Sequence, residues 1–222
     1  IMHTASIDIY GLMIRGYYFT SMCIIVISIF IFLWSFEKRK PKTREIVTLA
    51  VMTALAVVGR LAFFMTPQVK PCAAIIIITG VMLGRQSGFL CGALTAFVSG
   101  FFFGQGPWTP WQMIAFGIIG FLSGALFSKK NIKYAYNKWI ISIYGFLATF
   151  VIYGFILDTA TVFMYTDTPK TETFVATYLS GIGFNLIHAA STFVVLFLIS
   201  KDRKSTRLNS SHESPYRMPS SA

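Results

Sequence analysis

The feature that most constrains this chain is a run of apolar stretches, each near the length of a membrane span and separated by short basic connections. They fall at 17–36, 45–65, 71–84, 86–103, 109–127, 139–158 and 177–200. A helix needs about 20 apolar residues to cross the hydrocarbon core. Only helices and closed barrels satisfy their own backbone hydrogen bonds in lipid, and runs of this length read as helices. Charged residues make up 12% of the 222 positions, about half the share of a soluble domain. The sequence therefore predicts an all-α integral membrane protein. The stretch 71–84 is short for a span, and Gly84 and Gly88 blur its boundary with the next.

The net charge of +11 would suit a nucleic-acid binder if it formed a patch. Instead the cations sit in "EKRKPKTRE" (37–45), Arg85, "KKNIKYAYNK" (129–138) and "KDRK" (201–204). Alternate connections are poor in them: 66–70 carries only Lys70, 104–110 carries none, and 158–176 leans acidic through Asp158, Asp167 and Glu172. The positive-inside rule then puts the amino terminus outside and the carboxyl terminus in the cytoplasm, with no call for nucleic acid. Trp34, Trp139, Tyr134 and Tyr136 fall near cytoplasmic ends, as headgroup-level aromatics do.

Cys23, Cys72 and Cys91 lie far apart in apolar runs, so no metal site or disulfide framework is expected. The start at Ile1 reads as a fragment or processed product. The polar tail 205–222, "STRLNSSHESPYRMPSSA", resembles translated adapter sequence and is expected to be disordered and non-native.

Four places carry polar or small residues where lipid would not ask for them. In "REIVTLAVMTALAVVGRLAFF", Ala50 and Ala54 stand four apart on one helix face. Small residues at that spacing let another helix approach closely, within this bundle or from a partner. Arg60, in the same stretch, needs a partner or water at its depth. Snorkelling to the outer headgroups and a place in a water-filled cavity both fit it. The outer connection Gly104–Pro110 is rigid and ringed, with Thr109 as a candidate N-cap and Pro110 suited to the first helical turn. Gln105 and Gln112 flank Trp108 and Trp111 there, an arrangement that suits stacking on and hydrogen-bonding a ligand. In "YLSGIGFNLIHAAS", Asn185 and His188 are three apart and share a face near mid-membrane. Such a pair makes either a helix–helix hydrogen bond or a ligand contact. Asp158 is a rim carboxylate that fits Arg60 or a ligand as partner.

The chain has no GxxxxGK[ST] phosphate loop, so it does not hydrolyse ATP by that route. HExxH and GxSxG are absent as well. An intramembrane enzyme would have to rest on His188 with Ser180 or Ser191.

From about Arg44 to Lys204 the chain resembles the substrate-binding S component of energy-coupling factor (ECF) vitamin transporters. The likeness rests on the basic lead into "REIVTLAVMTALAVVGR", the glycine-rich "ITGVMLGRQSGFLCGALTAFVSGFFFGQGPWTPWQM" and the small-residue run "FGIIGFLSGAL". The resemblance implies a six-helix bundle over 44–204, here preceded by an outer segment 1–16 and one extra transmembrane helix at 17–36. It implies a substrate-capture subunit of an ABC importer rather than an enzyme, with no cofactor, catalytic residue or metal. The substrate would be a vitamin or related micronutrient such as a cobalamin-like compound, bound at the outer loops and outer helix halves. On this chain those places hold Gln105, Trp108, Trp111, Gln112, Asn185, His188 and Arg60. Ala50 and Ala54 match the AxxxA face through which such subunits dock on a transmembrane coupling subunit driven by two ATP-binding subunits. The alternatives are the His188-centred enzyme and another kind of small-molecule membrane transporter.

Overall fold

The computed structural model describes residues 6–9, 12–15, 23, 26, 27, 30, 34, 43–66, 69–127, 131–166 and 169–212, with side chains described from position 23 to 200. Most of 17–36 lies outside the described residues, so the expected extra span is represented only by helical positions 23, 26, 27, 30 and 34. Near the amino terminus β1 (Ser6–Ile9) pairs antiparallel with β2 (Leu12–Arg15), Ser6 opposite Arg15. The other described elements are helices: α1 (Thr43–Ala62), α2 (Cys72–Leu83), α3 (Arg85–Phe103), α4 (Thr109–Leu126), α5 (Ile132–Ala135), α6 (Lys138–Leu147), a π-helical turn Ala148–Tyr153, α7 (Gly154–Tyr165) and α8 (Thr171–His212). α6, the π turn and α7 run on as one 28-residue span. With α1, α3, α4 and α8, five described helices are long and apolar enough to cross a membrane.

The short stretch 71–84 is the centre of the bundle. α2 has 12 residues, about 18 Å at 1.5 Å per residue, well short of the hydrocarbon thickness. Its sequence "CAAIIIITGVML" is apolar on every side, and Cys72 through Val81 are all buried. A helix greasy all round belongs inside protein. α2 packs against α1, α3, α4 and α8 rather than lipid. Gly84 alone separates α2 from α3, at φ +94°, a left-handed conformation that glycine adopts without a Cβ clash.

α3 and α4 lie in close backbone contact. A Cβ on Gly88 would meet the Gly120 carbonyl oxygen and, at 2.6 Å, the Gly80 Cα. A Cβ on Gly120 would meet the Gly88 carbonyl oxygen. Three helices thus touch where their side chains vanish, the packing that small residues permit inside lipid.

Alternation of the spans sets the connections 63–71, 104–108 and 166–170 at one end, where Phe64 meets Phe103 with ring centroids 5.2 Å apart. At the other end Ser87 donates to Glu45 at 2.9 Å. Three expectations change here. Thr109 is the first residue of α4 instead of its cap, and its hydroxyl accepts the Gly106 N–H at 3.2 Å. Asp158 lies inside α7, since the helix continues to Tyr165 and the connection shrinks to 166–170. A carboxylate that reads as the end of a span is kept within it by a partner across the helix interface. Finally, α8 extends beyond Lys204 to His212, into the tail, while 213–222 lies outside the described residues.

Candidate functional site

Arg60 sits in the last turn of α1, where a helix favours a cation. It does not snorkel outward: it is 5% exposed and turned into the bundle. Its Nη1 donates to Ser99 Oγ of α3 at 2.6 Å, and its Nη2 donates to Gln112 Oε1 of α4 at 3.0 Å. The guanidinium carbon stands 4.9 Å from the Phe103 ring centroid and 5.9 Å from that of Phe116. Nε is buried without a hydrogen-bond partner.

Phe116 links this group to the far helices. Its ring lies 4.8 Å from Tyr153, the last residue of the π turn, and 6.1 Å edge-on from His188. Tyr153 and His188 meet edge to face at 4.7 Å. The π turn carries one residue more than an α-helical turn would, and such bulges are frequent at functional sites. His188 is 1% exposed, yet neither ring nitrogen has a hydrogen-bond partner. Trp111 Nε1, one position before Gln112, is likewise buried without one. Buried polar atoms are nearly always satisfied, so three side chains in this condition call for an explanation.

Asn185 lies nearly one turn from His188 toward the N-terminus of α8, and its Nδ2 donates to Asp158 Oδ2 at 2.9 Å. Asp158 is therefore held by Asn185 rather than by Arg60. The loop residues behave differently. Gln105 Nε2 donates to the Phe97 carbonyl at 2.8 Å, folding the side chain back on α3, and the Trp108 ring lies against Gly106.

The structure thus joins Arg60 to Gln112 directly and to His188 through Phe116, and pairs Asn185 with Asp158. Gln105 and Trp108 lie at the same end of the bundle as Arg60, but none of their described contacts is with Arg60, Gln112 or His188. Ser99, Phe103, Phe116 and Tyr153 were not expected. Ser99 is one hydroxyl in a glycine-rich run, and the π turn that presents Tyr153 has no local sequence mark. Ala50 and Ala54 are exposed on the opposite side of α1, beside Val47, Val51, Leu55 and Val58, each over half exposed.

Lys70 is the sole cation of the 63–71 connection. Burial, and secondarily the nearby Arg60, push its ammonium down from 10.5 to about 8. The unfolded chain then holds a proton that the folded protein releases between pH 8 and 10.5, so stability rises with pH across that window. Thermal melts of the purified protein should show a steeper rise there than melts of Lys70→Met. Parallel curves would exclude an ammonium buried beside Arg60.

Comparison with known proteins follows the same outline. The family model for the ECF-type riboflavin transporter S component matches residues 40–204. A UPF0397 protein of Aliivibrio salmonicida is 27% identical over 174 residues, covering 72% of this chain and 92% of that protein. A UPF0397 protein of Aliivibrio fischeri is 28% identical with the same coverage, and one of Vibrio atlanticus is 24% identical over 177 residues, covering 74% and 94%. No solved structure matches the chain. With the matched region spanning the whole bundle from α1 onward, the chain belongs to the ECF-type riboflavin transporter S component family.

Proposed function

We propose that this protein captures a vitamin-like micronutrient from outside the cell and hands it to an ATP-driven ECF module. The observation that carries this reading is the buried centre, where Arg60 Nε and both His188 ring nitrogens lack partners beside the rings of Phe103, Phe116 and Tyr153. Aromatic walls with a few convergent polar groups are the usual make-up of a small-molecule site. A flat ring system suits them, as in the riboflavin of the family's name or a cobalamin-like compound. Gln105, Trp108, Trp111, Gln112, Asn185, His188 and Arg60 are the proposed binding set, with Gln105 and Trp108 in the loop over the mouth.

The charge of the connections supports an outer face bearing 63–71, 104–108 and 166–170, a cytoplasmic carboxyl terminus, and an amino terminus placed outside by a helix at 17–36. The exposed face of α1 around Ala50 and Ala54 is the proposed contact with the transmembrane coupling subunit, itself driven by two ATP-binding subunits.

The geometry supports capture over the enzyme reading. A nucleophile and its base stand within hydrogen-bonding reach in such sites. Ser191 Oγ and both His188 nitrogens have no hydrogen-bond partner, and Ser180 donates to the Thr177 carbonyl.

Coexpression with an ECF module tests the proposal. The chain is expected to co-purify with the coupling subunit and both ATPases, and mass spectrometry of the purified protein should find a bound small molecule. Failure of both would refute it.

A further inference from the structure

Resting on that reading of the site, we infer that the substrate carries an acidic group, a carboxylate or phosphate ester, and that Arg60 is its partner. Arg60 is a buried cation surrounded by a hydroxyl, an amide carbonyl and two ring faces, none of which carries a charge. An uncompensated buried charge is costly, and residues are kept in that state where a counter-charge arrives. A role as a mere staple between α1, α3 and α4 does not require it. The two described hydrogen bonds use two of the five N–H donors of a guanidinium, and a neutral amide would serve Ser99 and Gln112 without burying a cation.

What remains free points to an acceptor. Nε is buried without a partner, and arginine binds carboxylates and phosphates through paired N–H groups. Lys70 adds a second cation whose charge is felt at Arg60's position, from the connection at the same end of the bundle. Asp158, the carboxylate nearest in role, is tied to Asn185. The Phe103 and Phe116 rings beside the guanidinium make its surroundings apolar, in keeping with a molecule that carries an apolar body as well as an acid. A ring-bearing acid meets all of these demands together; a neutral ring leaves the arginine unpaired.

The test uses the full chain, purified in neutral detergent and washed free of small molecules, with benzoate, phenyl phosphate and the neutral benzamide as probes. Thermal melts at constant ionic strength should rise saturably with benzoate or phenyl phosphate and far less with benzamide. Arg60→Gln should abolish the difference. Arg60→Lys keeps the charge without the planar fork, and should raise the half-saturating concentration several-fold. Equal responses to benzoate and benzamide would overturn the inference, as would an acid response unchanged in both variants. A response confined to added phosphatidylglycerol would also overturn it, because the acid would then belong to a lipid headgroup. Co-purification with the ECF module is a separate readout. A chain that assembles without distinguishing the acid refutes this inference alone, and one that distinguishes the acid without assembling refutes the transport role.

Discussion

Leucine at both Ala50 and Ala54 is expected to abolish association with the coupling subunit while leaving ligand affinity within about twofold, since the positions share no contact with the centre. Both alanines are exposed, and α1 buries its opposite side through Leu49, Thr53, Ala56, Val57 and Arg60. Small side chains four apart leave a shallow strip between Val47, Val51, Leu55 and Val58. A partner helix that used that strip would meet two isobutyl groups. Overpacking costs about 1–3 kcal/mol per site, so two sites together lower affinity by roughly thirtyfold or more. In lipid without the partner, leucine at these positions is harmless, so the variant should melt with the wild type. Pull-down of the coupling subunit and ATPases by the variant, beside a melt and a ligand titration, reads all three. Undiminished capture would remove α1 from the interface.

The largest effect on the fold itself is expected at the glycine crossing. A methyl on Gly120 meets the Gly88 carbonyl and lies 2.9 Å from Ile76 Cγ2, and two of those contacts are backbone that cannot rotate aside. Gly120→Ala should therefore cost about 1–3 kcal/mol, a fall of roughly 2–12 °C in melting temperature for a chain of this size. Leucine at both Gly88 and Gly120 should leave no monodisperse protein after extraction. Gly183 is the control: nothing lies within 4 Å of its Cβ position, so Gly183→Ala should be neutral or slightly stabilising. Equal melting of Gly120→Ala and Gly183→Ala would mean that α3 and α4 do not touch as described.

The spans were legible because lipid imposes one simple demand. α1, α3 and α4 fall close to the stretches expected at 45–65, 86–103 and 109–127. α2 was the difficult one, being too short to span, and only its burial among other helices explains how so short a segment is accommodated. The sixth stretch was cut at Asp158 because a carboxylate in lipid is normally a boundary. The hydrogen bond from Asn185 across α7 and α8 removes that objection, and no local pattern announces a partner 27 positions away.

The site divides along the same line. Arg60 and His188 stood out by residue type alone, since a charge and an imidazole in apolar helices need a reason. Sequence left Arg60 between snorkelling and an interior place, because both begin from the same position near a helix end. Tertiary packing turned it inward, onto Ser99 and Gln112. Gln105, read as part of the same amide pair as Gln112, instead bonds to the Phe97 carbonyl, because a loop side chain takes the nearest acceptor.

By itself the sequence determined that the chain is a membrane protein, where its principal helices run, and which polar residues lie among them, because burial in lipid selects residue types position by position. Only the tertiary structure decided which of those residues meet. Arg60, Gln112, Phe116 and His188 are brought together by glycine-spaced helices and a π turn, and contacts between segments so far apart depend on packing rather than on any local pattern.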